Sequence, residues 1–172
     1  MKSIILIGMP GSGKTTVGME LAKYLDLELH DTDSIIESHY GFTIENWIKN
    51  RQSEFREIEY QLLKKLSTGG NIISCGGGII ENPNSMEILK HNFTIWLKTS
   101  TEILTSRILS TPRPVYNMDD DIEDQIKNLL SRRILRYSDS SLLSVDTGIL
   151  TTEEVVHVVQ HVWRSFFSNN LR

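Results

Sequence analysis

The stretch Gly8-Met9-Pro10-Gly11-Ser12-Gly13-Lys14-Thr15, set directly behind the apolar run Ile4-Ile5-Leu6-Ile7, leaves this chain few ways to fold. It fits G-x-x-x-x-G-K-[ST], the signature of a phosphate-binding loop. A strand delivers the chain, and glycines let the backbone curl where a side chain would clash. The amides of Gly11, Ser12, Gly13, Lys14, Thr15 and Thr16 then turn inward as an anion cradle. In that arrangement Lys14 reaches the β- and γ-phosphates of a nucleotide, and the Thr15 hydroxyl sits on Mg²⁺. The flanks agree. Ile4 to Ile7 is a short continuous apolar run of the kind that makes a buried parallel strand. Val17, Leu21, Ala22 and Leu25 fall on one face of a helix whose positive N-terminal end meets the same phosphates.

The remainder of the chain bounds the setting. Its 172 residues suit a single domain with a substantial core. Eighteen basic against 22 acidic residues give a net charge of −4, which argues against a nucleic-acid surface. No apolar run approaches membrane-spanning length. The loop begins so close to Met1 that no leader peptide fits ahead of it, and the one cysteine, Cys75, excludes an internal disulfide. The expectation is a cytoplasmic protein, with Cys75 a small buried hydrophobe rather than a nucleophile.

Further candidates follow in chain order. Leu27 to His30 reads as a second strand ending in Asp31-Thr32-Asp33. Ligands of open α/β sheets gather at the carboxyl ends of strands, so both carboxylates project toward the phosphates. Asp31 is placed to hold the metal, directly or through water, and Asp33 to accept a hydroxyl proton. The plainer alternative makes Asp33 a helix cap and Asp31 a solvated turn residue. A longer helix from Gln52 carries the stripe Phe55, Ile58, Leu62, Leu63 and Leu66, with Arg56 and Glu59 one turn apart. By spacing alone such a pair belongs to a solvated helix face. Asn71 to Cys75 is a third strand running into Gly76-Gly77-Gly78, backbone that something else approaches closely. Asn82-Pro83 opens a helix, Phe93 to Leu97 is a fourth strand, and Thr101 to Leu109 is a helix bearing Arg107. The segment around Pro112-Arg113-Pro114 reads as mobile and able to close over a site, with Arg113 clamping a transferring phosphoryl group. Asp119-Asp120-Asp121 reads as a solvated helix start. Arg132, Arg133 and Arg136 cluster on the next helix, where surface solubility and anion binding are equally open. Leu142 to Val145 is a fifth strand, and Thr151-Thr152-Glu153-Glu154 caps a last helix. His157 and His161 lie opposite its apolar stripe and read as solvated. Strands alternating with helices give an α/β fold, a parallel sheet with helices on both faces, while strand order stays open.

A guanine-reading Asn-Lys-x-Asp segment is absent and the chain is short for a large ATPase, which leaves a small kinase with a second-substrate pocket. Over essentially its full length the chain resembles the shikimate kinase family. The ordered set is Gly8 to Thr15, Asp31-Thr32-Asp33, Phe55-Arg56 with Glu59, Gly76 to Gly78, Arg113-Pro114, and Arg133 four residues before Tyr137. The resemblance implies a three-layer α/β/α P-loop NTPase fold of the nucleoside-monophosphate-kinase type, with five parallel strands ordered 2-3-1-4-5. It implies one kinase domain with a substrate-binding segment at about 32–60 and a lid at about 110–124. It implies ATP-dependent phosphorylation of the 3-hydroxyl of shikimate, a step of chorismate and aromatic amino acid biosynthesis, by a monomer using Mg²⁺. Asp33, Arg56, Gly77, Gly78 and Arg133 would bind shikimate, with Arg56 and Arg133 on its carboxylate. Arg113 would be the lid arginine on the ATP phosphates, and Arg107 would lie over the adenine. Where the family pattern has Gly-Glu and Arg-Pro-Leu, this chain has Arg51-Gln52 and Arg113-Pro114-Val115. A gluconate-type kinase would share the loop without needing both arginines, and a non-catalytic nucleotide-binding module would be free to lose Lys14, Asp33 or Arg113.

Overall fold

The computed structural model describes residues 3–168. Strand β1 (Ile4–Ile7) is buried at every residue and pairs in parallel with β3 (Ile72–Ser74) on one side and β4 (Phe93–Lys98) on the other. Strands β2 (Leu29–Asp31) and β5 (Leu143–Asp146) complete a five-stranded parallel sheet of order β2-β3-β1-β4-β5. This is the expected strand order. The strands start or end one or two residues from where the apolar runs do.

Alternation along β1 builds two cores at once. Ile5 and Ile7 face Leu63 of α4 (Gln52–Leu66), Leu89 of α5 (Pro83–Lys90), Leu104 and Ile108 of α6 (Thr101–Ser110), and Ile126 and Tyr137 of α7 (Ile122–Asp139). Ile4 and Leu6 face Val17 and Leu21 of α1 (Lys14–Leu25) and Val155 and Val159 of α8 (Thr152–Ser168). Three layers result. Cys75 lies in the first of these cores, 2% exposed, and burial pushes its thiol pKa well up, so it is the inert hydrophobe expected. No described helix is long and apolar enough to cross a membrane.

A third, smaller core joins α2 (Thr32–Tyr40), α3 (Ile44–Asn50) and the start of α4 around Ile36, Ile44, Trp47 and Phe55. Gly41 ends α2 with φ 70, and the Thr43 hydroxyl caps α3 by accepting from the Asn46 N–H. These two sharp turns fold a short helical excursion over the edge of the sheet beside the loop. Trp47 anchors it, 2% exposed, with the rings of Tyr40, Phe42 and Phe55 at 5.5, 5.7 and 6.2 Å. Its Nε1–H is buried without a partner. Trp47→Ala should therefore cost about 3–5 kcal/mol in urea unfolding. Trp47→Phe should cost much less, since it removes an unsatisfied donor along with the bulk.

Candidate active site

The nucleotide loop takes the conformation its glycines permit. Gly13 sits at φ 90 as the cap of α1, and Gly8 at φ 150, where a Cβ would strike the Leu97 carbonyl. Lys14 is buried, and its Nζ donates to the carbonyls of Gly8 at 3.0 Å and Met9 at 2.9 Å. Burial lowers its pKa to about 8, with Asp33, Cys75 and Asp31 pulling the other way, so it stays mostly cationic at neutral pH. The Thr15 hydroxyl donates to Asp31 Oδ2 at 2.7 Å, and Ser74 Oγ donates to the same oxygen at 3.0 Å.

The two aspartates differ from the plainer alternative in an instructive way. Helix α2 starts at Thr32, two residues earlier than a cap at Asp33 requires. Asp31 is the cap, its Oδ1 accepting from the Ser34 N–H at 3.2 Å, while its Oδ2 remains with Thr15 and Ser74. Asp33 is thereby released from capping. Its Oδ1 is buried with no hydrogen-bond partner. Burial first, and then Asp31, raise its pKa to about 6, against the pull of Lys14.

Opposite the loop lies a buried charge cluster. Arg56 Nη1 donates to Glu59 Oε2 at 2.6 Å and Arg56 Nε to Glu81 Oε2 at 2.8 Å. Arg133 Nε donates to Glu81 Oε1 at 2.9 Å, and its Nη2 donates to the same oxygen. Glu59 is 1% exposed, so the Arg56–Glu59 pair is no solvated helix face. Burial works against charge on Arg56, yet Glu59 and Glu81 outweigh it and raise its pKa. Burial pushes Glu59 up, although Arg56 resists. Burial also acts on Glu81, but Arg133 and Arg56 dominate and hold it below the usual carboxylate range. Of the three helix arginines, Arg133 turns inward at 4% exposure, while Arg132 and Arg136 are exposed.

The glycine triplet is the floor between the two halves. A Cβ on Gly76 would lie 2.5 Å from Asp33 Oδ1 and 2.6 Å from Glu59 Oε1, itself unpartnered. A Cβ on Gly78 would overlap the Arg56 guanidinium, and one on Gly77 would lie 2.8 Å from Pro10 Cδ. Tyr137, buried and stacked on Trp96, donates to the Gly77 carbonyl at 2.6 Å and fixes the floor. Arg107 donates to Gly11 O at 3.2 Å and Thr147 O at 2.8 Å, and the Thr147 hydroxyl donates to Ser12 O at 2.9 Å. Arg113 is exposed on the loop 111–121, and its charge lowers the Lys14 pKa slightly. Asp121 caps α7, accepting from the Asp124 N–H at 2.8 Å, so the acidic triplet does begin a helix. His157 and His161 are exposed.

One cavity of about 840 Å³ is lined by Lys14, Thr15, Asp31, Asp33, Arg56, Glu59, Gly76 to Gly78, Arg107, Arg113 and Arg133. Apart from Ser12, whose hydroxyl is buried beneath the loop, every sequence-derived candidate with a side chain that could act on a ligand faces one space. Sequence reasoning gave no role to Glu81, Ser74, Thr147 or Tyr137. Tyr137 carried the one available signal, its four-residue spacing from Arg133.

A nucleotide loop and a polar, arginine-lined acceptor chamber on one parallel sheet define a P-loop phosphotransferase for small molecules. A family profile described as shikimate kinase matches residues 10–163, and the chain belongs to that family. It is 36% identical over 157 residues to the shikimate kinase of Staphylococcus aureus (strain JH9), covering 90% of this chain and 89% of that one. It is equally identical to the shikimate kinase of Caldicellulosiruptor bescii, with 89% and 90% coverage. A structure of shikimate kinase from Acinetobacter baumannii in complex with shikimate superposes with TM-score 0.86 at 28% identity, covering 100% of this chain and 96% of that one. Shikimate kinase from Aquifex aeolicus gives TM-score 0.72 at 30% identity, covering 98% of each.

Asp33 should trade stability for function. Its folded pKa of about 6 exceeds the ordinary aspartate value of 3.8, so between those values the folded state binds the extra proton. Stability from this group therefore rises as pH falls through 6, and at pH 7 the ionised carboxylate costs up to about 3 kcal/mol. Asp33→Asn should raise Tm at pH 7 by a few degrees, and by less at pH 5, while phosphoryl transfer is lost. Calorimetry at the two pH values and a turnover assay check this.

Proposed function

We propose that the chain transfers the γ-phosphoryl of ATP to the 3-hydroxyl of shikimate, in aromatic amino acid biosynthesis, with each candidate residue in the role its chemistry allows. The supporting observation is the pairing, within one cavity, of an unpartnered buried Asp33 oxygen with the Arg56 and Arg133 guanidiniums and with Lys14. A small polyol carrying one carboxylate needs two cationic forks for its anion and a carboxylate for a hydroxyl. Arg56 and Arg133 bind the carboxylate, and the backbone of Gly77 and Gly78 closes the floor. Asp33 orients the attacking hydroxyl and takes its proton, a task suited to a group whose pKa burial has raised toward neutrality. Lys14, the amides of Gly11 to Thr16 and Arg113 neutralise charge as the phosphoryl group moves in line, and Arg107 borders the nucleotide.

Thr15 and Asp31 would hold Mg²⁺. The donor set fits, since the Thr15 hydroxyl and the Asp31 carboxylate lie 2.7 Å apart beside the phosphate loop and this metal commonly takes one carboxylate, a hydroxyl and substrate phosphates. Bound there, the ion would neutralise the β- and γ-phosphate oxygens. Residues 32–60 form the acceptor segment and 110–124 the lid of a single kinase domain, which we take to act as a cytoplasmic monomer.

With ATP and magnesium, ADP release should depend on shikimate and not occur with gluconate. Release with gluconate alone, or with no acceptor in a hydroxy-acid panel, would overturn the reading. Arg133→Ala should raise the KM for shikimate by roughly 10- to 100-fold and that for ATP by far less, as loss of a charged hydrogen bond predicts. Equal rises for the two substrates would make Arg133 structural.

A further inference from the structure

Behind the acceptor chamber lies a second cavity of about 800 Å³. Arg56 and Arg133 line both cavities, but Glu81 lines only the second. Its carboxylate therefore meets the two arginines outside the space that Lys14 and Asp33 line. The grip is divided, with Oε2 accepting from Arg56 Nε and Oε1 accepting from Nε and Nη2 of Arg133. Arg56 Nη1 is taken by Glu59, and its Nη2 makes no hydrogen bond among the described residues.

Glu81 is itself held firmly. It ends a 3-10 turn, Ile79–Glu81, in which its N–H donates to Gly78 O at 2.9 Å. The next residue, Asn82, caps α5 and donates from Nδ2 to the Arg56 carbonyl at 3.3 Å. The turn packs against both α4 and α7, the helices that carry the two arginines. Among the described residues, Glu81 alone bonds to both guanidiniums. Each arginine has a long flexible stem, and two of them left unbraced would spread over many rotamers and repel one another.

We propose that Glu81 is a positioning residue for acceptor binding: it braces Arg56 and Arg133 from behind, fixing their separation, so that the acceptor carboxylate meets a preformed pair. The proposal rests on the acceptor assignment made above. A residue that acts through the arginines should matter only for acceptors that use them.

The test compares shikimate with its neutral analogue bearing CH₂OH in place of the carboxylate, in the wild type, Glu81→Ala and Glu81→Gln. In Glu81→Ala, the KM for shikimate should rise roughly 10- to 100-fold with kcat and the KM for ATP little changed. The kcat/KM for the neutral analogue should stay within about twofold, because that analogue never recruited the pair. Glu81→Gln keeps the size of the side chain and one acceptor oxygen, so it should move the shikimate KM in the same direction by less. An equal loss with both acceptors would make Glu81 merely structural and overturn the proposal. An improved shikimate KM would mean that Glu81 competes for the arginines and would overturn it as well, as would unchanged constants in both variants. A wild type that leaves shikimate untouched would instead sink the acceptor assignment, and the proposal with it.

Discussion

Parallel pairing of β1 with β3 and β4 brings the phosphate loop and the glycine floor, with the two aspartates after β2, to one end of the sheet. The register sets Leu6 beside Ser74 and beside Ile95, and Asp31 beside Ser74, so the strands run out together. What each strand delivers next is the working part: the phosphate loop after β1, Asp31 and Asp33 after β2, the glycine floor after β3. Slipping β3 by one residue would exchange the faces that Ile73 and Ser74 occupy and dismantle the Thr15–Asp31–Ser74 oxygen cluster. The apolar identity of Ile4 to Ile7 lets β1 lie at the centre of the sheet, buried on both faces.

At this end of the sheet the molecule takes an uneven approach to buried charge. Glu59 and Arg133 are withdrawn from water and Arg56 and Glu81 partly so, a cost offset by close mutual hydrogen bonds among the four. Left over are one oxygen on Asp33 and one on Glu59, both buried and both without partners. Native interiors seldom leave such atoms unsatisfied. Both lie beside Gly76 and border the cavity that Lys14 also lines, where the hydroxyl of the proposed acceptor would complete the bonding. Stability is spent locally so that binding can recover it.

Legibility from sequence followed the range of the interaction. The loop, the strands to within one or two residues, and the caps at Asn82 and Thr151 depend on residues within a few positions of one another, and they stand where the sequence puts them. The two aspartates were harder. One residue separates a cap from a first-turn side chain, and both types suit either place. Tertiary bonds from Thr15 and Ser74 accompany Asp31 in the capping role and leave Asp33 facing the cavity. Arg56 and Glu59 were adjacent on their helix in either reading, but only the packing of α4 against its neighbours shows which side of that helix is dry. Glu81 lies 25 residues from one partner and 52 from the other, with no local pattern to mark it.

By itself, then, the sequence determined a phosphate loop between a buried strand and an amphipathic helix, and with it a parallel α/β sheet. Hydrophobic periodicity and glycine conformational freedom are properties of short stretches, and they survive without knowledge of the rest. Tertiary structure alone decided which arginines leave water, which carboxylates meet them and which oxygen stays bare. Those outcomes depend on burial and on distances between segments far apart in the chain, and neither is defined until the layers have packed.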